Sequence, residues 1–154
     1  MDLFNIVNKF VYTRQLSDNV DSDLEWEILI RTWIFGDKYL MPSLQNRVMS
    51  ILLEKGSKLN FVPTGHLKLI YNNTVPGSLL RKMVVDVAVY EWSMENLMVR
   101  TKGALWSHEA LVDLVMVIGA KKKEDIGRFA LPEANKGKCY YHIHADGENC
   151  NVKL

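Results

Sequence analysis

The sequence predicts an all-α fold of paired helical hairpins followed by an irregular polar C-terminal tail, and three observations carry that prediction. Apolar residues recur at spacings of three and four along nearly every segment before residue 120, which places them on single helical faces. Capping residues, prolines and glycines fall where those patterns start and stop. The connections between the periodic segments are short, which pairs successive helices.

Leu3, Phe4, Val7, Phe10 and Val11 define the first helical face, and that helix is expected to end near Thr13. A polar stretch follows, in which Ser22 and Glu25 spell a capping box for a helix over residues 23–39. This helix carries Trp26, Ile28, Leu29, Ile30, Trp33, Ile34 and Phe35, an arc wide enough for burial on two sides. Pro42 suits the first position of a third helix with Leu44, Val48, Ile51 and Leu52 on one face, and Gly56 is the expected stop.

Thr64 is placed to cap a short helix holding Leu67, Ile70 and Tyr71. Val75-Pro76-Gly77-Ser78 reads as a turn, with Ser78 capping a helix whose face is Leu80, Met83, Val84, Val87 and Tyr90 or Glu91. Asn96 to Gly103 reads as a polar connection. Ser107 then caps a last helix, with Leu111, Leu114, Val115 and Ile118 as its inner face and Gly119 closing it. From Lys121-Lys122-Lys123 onward the chain is polar, and apolar periodicity fades.

Composition narrows the function classes. Of 154 residues, 48% are hydrophobic and 24% charged, the balance of an ordinary globule and not of a disordered chain. A net charge of +1 provides no global field for nucleic acid or an anionic membrane. Charged residues interrupt every apolar run before it reaches the roughly 20 residues that span a bilayer. Met1-Asp2-Leu3-Phe4-Asn5 lacks the layout of a signal peptide, so the Asn72-Asn73-Thr74 sequon carries no weight. Two cysteines near the C-terminus cannot make a disulfide framework. The expectation is an intracellular protein, cytoplasmic or nuclear, with no membrane partner.

Several motifs resemble a known family. Phe10-Val11-Tyr12-Thr13, then Phe35-Gly36-Asp37-Lys38-Tyr39-Leu40-Met41-Pro42-Ser43-Leu44-Gln45-Asn46, resemble the second half of a BTB/POZ domain, specifically that of the fungal BTB proteins. Ile70-Tyr71-Asn72-Asn73-Thr74, Pro76-Gly77-Ser78, Leu80-Arg81 and Cys139-Tyr140-Tyr141-His142 are similar to the helical extension and tail of such proteins.

The resemblance implies C-terminal BTB helices over 1–56, a helical extension over 57–120 and a Cys/His-containing tail over 121–154. It also implies that the chain begins at what would be the third helix of the family's fold. The face of Leu3, Phe4, Val7 and Phe10 would then be an open apolar patch for a protein partner or a second copy. Arg14 stands where the family's turn usually continues with Gly. Members that recruit a cullin ubiquitin-ligase scaffold carry Glu two positions after an aromatic or apolar residue. Phe4 and Ile6 occupy the matching positions here, so the adaptor reading lacks its acidic residue.

The chemistry-bearing residues concentrate in the tail. Cys139, His142, His144 and Cys150 give C-x2-H-x-H-x5-C, four ligands of the kind zinc prefers within twelve residues. The spacing matches no standard zinc module, and the bland reading is a polar tail in which Cys139 and Cys150 pair only on oxidation. Catalysis by a Cys–His pair lacks an orienting third group and an oxyanion hole. His66 and His108 have no companion at metal-ligand spacing. Gln45, Asn46 and Arg47 open the second helix of a helix–turn–helix, the residue types that read base edges. A helical hairpin with these residues in water accounts for them without nucleic acid. The expected function is a non-enzymatic protein–protein interaction module without a cofactor. The alternatives are a zinc-stabilised regulatory protein using the Cys/His tail or, as the resemblance implies, a ubiquitin-ligase substrate adaptor.

Overall fold

The computed structural model describes residues 2–17, 23–59, 63–91, 95, 96, 99, 106–120 and 139–145, the side chain of residue 91 excepted. Among these residues every regular element is helical. No helix among them is long and apolar enough to cross a membrane. The chain forms two compact units, Met1–Phe61 with His142–Leu154, and Val62–Tyr141.

In the first unit, α1 (Leu3–Thr13) begins where the Asp2 carboxylate accepts the Phe4 N–H at 2.9 Å, satisfying an orphan first-turn donor. It ends at Arg14, whose backbone turns left-handed at φ 61 and whose N–H donates to the Phe10 carbonyl. The helix packs against α2 (Trp26–Lys38). Its buried face is centred on Ile6, Val7 and Phe10. That divides the patch expected from Leu3, Phe4, Val7 and Phe10. Val7 and Phe10 are already buried, whereas Phe4 is 70% exposed. At 100° per residue Ile6 lies on the Phe10 side of the arc and Phe4 at its far rim.

The second helix starts three residues later than the capping box places it. Glu25 is the extended cap residue and its side chain makes no capping bond, while Ser22 lies outside the described residues. Packing of α2 against both α1 and α3 (Pro42–Leu59) accounts for its wide apolar arc, with Leu29, Ile30 and Trp33 buried.

The α2–α3 corner is tight. Met41 N–H donates to the Gly36 carbonyl at 2.8 Å, and a Cβ at Gly36 would come within 2.8 Å of Gln45 Cγ. Gln45, buried, donates from Nε2 to Asp37 Oδ1 at 3.1 Å. Gln45 therefore holds the corner and does not face water. Beyond it, α3 runs past the expected stop at Gly56, which is buried within the helix, and a Glu54–Lys58 ion pair spans the last turn.

In the second unit, a 3-10 turn at Thr64–His66 leads into α4 (Leu67–Asn73), with Leu67, Ile70 and Tyr71 inward. Gly77 takes φ 81 in the following turn, and Ser78 Oγ accepts the Leu80 N–H at the start of α5 (Leu79–Glu91). Instead of one buried stripe, α5 is buried nearly all round, from Leu80 through Val89 except Lys82. The helix α6 (His108–Gly119) is capped by Ser107 Oγ on the Ala110 N–H and packs against α4 and α5.

The inner face of α6 differs from the expected one. Ala110 and Leu114 are buried, whereas Leu111 is 38% and Val115 65% exposed. Polar anchors set this rotation. Asp113 Oδ2 accepts the Tyr71 hydroxyl at 2.7 Å, and Glu109 Oε2 accepts Arg81 Nη1 at 2.8 Å. Arg81 is itself buried. Its Nε donates to Thr74 Oγ1, its Nη2 to the Tyr71 and Thr74 carbonyls, and its guanidinium lies 4.3 Å from the Tyr71 ring centre. Most of the connection expected over Asn96 to Gly103, and Lys121 to Lys123, lie outside the described residues.

Candidate metal centre

Residues 139–145 are irregular in backbone but are not a loose tail. In the second unit Tyr141 is 1% exposed, and its hydroxyl donates to the buried Asp86 carboxylate at 2.9 Å. In the first unit the Asn46 side chain grips the backbone of Ile143 from both directions. Its Nδ2 donates to the Ile143 carbonyl at 2.8 Å, and its Oδ1 accepts the Ile143 N–H at 2.7 Å. A primary amide matches a peptide group in this way because it offers one donor and one acceptor side by side. Asn46 is 7% exposed and Gln45 3% exposed, so neither is presented to base edges or to water.

Cys139, His142 and His144 converge on this stretch, each half-buried, with one ligand atom from each within 4.8 Å of the others. All three belong to one six-residue run, so local backbone geometry is enough to bring them together. The two imidazole rings are tilted, with centres 6.0 Å apart. His142 Nε2 lies 3.0 Å from Ser50 Oγ. His144 Nε2 is buried and has no hydrogen-bond partner among the described residues, a costly state for a polar atom unless something completes it. Burial holds the His142 imidazole below its ordinary pKa, and the neighbouring His144 adds to that shift. Both effects favour the neutral ring, the form that ligates a metal.

The donor set is one sulfur and two nitrogens, which suits zinc. Tetrahedral zinc, with Zn–S about 2.3 Å and Zn–N about 2.0–2.1 Å, needs ligand atoms about 3.3–3.6 Å apart, so side-chain adjustments of about 1 Å close the site. Cys139 forms no disulfide among the described residues, and Cys150, the fourth ligand expected from the sequence, lies outside them. His66 and His108 do not join the group. The sequence marks Asn46 only as a helix–turn–helix residue and does not mark Ser50 at all, so neither contact to this stretch was expected. The signal available was their spacing of one helical turn, which carries no hint of a partner about 100 residues away.

Comparison of the chain with protein-family models, with curated proteins and with solved structures finds no match.

Proposed function

We propose that this chain is a non-enzymatic, zinc-stabilised helical protein in which the metal pins residues 139–145. Cys139, His142 and His144 would supply three ligands and Cys150 the fourth. One observation carries the reading: three zinc-type ligand atoms lie within 4.8 Å, and one of the three side chains, His144, has a buried nitrogen without a partner. The test counts zinc bound to the purified chain after equilibration with a small excess and removal of the free ion. About one zinc per chain is expected for the parent, and well under half of that for Cys139→Ser and for His144→Gln. Zinc at 100 times its Kd should also stabilise the parent by about 2.7 kcal/mol against unfolding. A chain that takes up no zinc, or variants that take up as much as the parent, overturn the reading.

A second reading rests on a different observation. The helix α6 turns Leu111, Val112, Val115 and Met116 outward on one face, with exposures of 38%, 46%, 65% and 69%. This is the kind of apolar helix face that the resemblance to BTB proteins implies, although on a different helix from Leu3, Phe4, Val7 and Phe10. A second copy pairing α6 with α6 would bury it. Light scattering should then give a dimer for the parent and a monomer for Val115→Glu, and a monomeric parent at working concentration ends this reading.

A further inference from the structure

The Ser50 hydroxyl on α3 lies within hydrogen-bond reach of two groups, one of them the His142 ring. Ser50 has a single hydroxyl hydrogen, and its Oγ lies 3.1 Å from the Asn46 carbonyl oxygen and 3.0 Å from His142 Nε2. A carbonyl oxygen can only accept, so when the hydroxyl hydrogen goes to Asn46 the serine oxygen meets His142 as an acceptor. Nε2 is then the protonated ring nitrogen, and the lone pair sits on Nδ1.

Resting on the metal reading above, we propose that Ser50 is a positioning residue for the metal centre, holding His142 in the Nε2–H tautomer so that Nδ1 is its ligand atom. Asn46, one turn earlier on α3, completes the device. Its carbonyl orients the serine hydroxyl, and its side chain fixes the Ile143 peptide between the two histidines. Two polar residues of one helix thus set both the ring and the backbone of the ligand-bearing stretch. Outer partners of this kind raise ligand basicity and lock ring orientation, and their loss typically costs about 10–100-fold in metal affinity.

The experiment uses the full chain as parent, Ser50→Ala and Ser50→Thr. Ring-nitrogen NMR on the metal-free proteins at alkaline pH reads the tautomer of His142 and the exchange of its ring N–H. Competition with a chromogenic chelator reads the zinc Kd. The parent should show Nε2–H, protected from exchange. Ser50→Ala should lose that protection and bind zinc about 10–100-fold more weakly, and Ser50→Thr, which keeps the hydroxyl, should restore both. A parent with the Nδ1–H tautomer, or a Ser50→Ala chain with parental zinc affinity, overturns the inference and leaves the metal reading standing. A parent that shows protected Nε2–H and yet binds no zinc overturns both.

Discussion

Leu40 holds its backbone at φ 53, and its side chain is 87% exposed. The left-handed region costs an ordinary residue about 1–2 kcal/mol, and this side chain recovers little of that by burial. Leu40→Asn keeps a side chain that tolerates such a backbone, so it should stabilise the chain by about 0.5–1 kcal/mol. The urea midpoint reads this, and an unchanged or lowered midpoint would contradict the strain argument. Arg14, the other non-glycine residue at positive φ among the described residues, differs in that its guanidinium lies 5.6 Å from the Phe10 ring centre. That contact offsets part of the backbone cost at a position where the sequence reading looked for Gly. Asn46 makes the same point about polar residues. Its identity says that it can hydrogen-bond, and only the neighbour it meets, the Ile143 peptide, says what it does.

At the scale of elements, helix existence was legible and helix rotation was not. Apolar residues surround much of α6, so several faces satisfy the same periodicity, and the choice falls to Asp113 and Glu109, which bond to Tyr71 and Arg81. The α4–α5–α6 group also carries a pH signature. Burial pushes the Tyr71 phenol well above its ordinary value, and its hydrogen bond to the Asp113 carboxylate adds to the shift. Above pH about 10 the unfolded chain therefore releases a proton that the folded chain retains. Stability must fall as pH rises through that window, by up to about 1.4 kcal/mol per pH unit from this group. Tyr71→Phe removes the titrating hydroxyl, so urea unfolding at pH 9 and 11 should show a shallower loss than in the parent. Equal losses would mean that Tyr71 does not govern the alkaline limb.

For the whole molecule, local rules in the sequence determined the all-helical class, the corners at Pro42 and Pro76–Ser78, the Ser107 cap and the closeness of Cys139, His142 and His144. These follow from interactions a few residues apart, where the side chain and the backbone it acts on are covalently close. The tertiary structure decided which apolar faces are inward, as with Ile6 replacing Phe4 on α1. It also decided that residues 139–145 dock: Tyr141 reaches Asp86, 55 residues away in sequence, and Ile143 reaches Asn46, 97 residues away. Composition marks that stretch as polar tail because its hydrogen bonds go to distant side chains that leave no periodic trace. A Cys/His group contained in six residues can be read from the sequence, whereas the contacts that Ser50 and Asn46 make to it depend on which helix folds back beside it, and distant packing alone sets that.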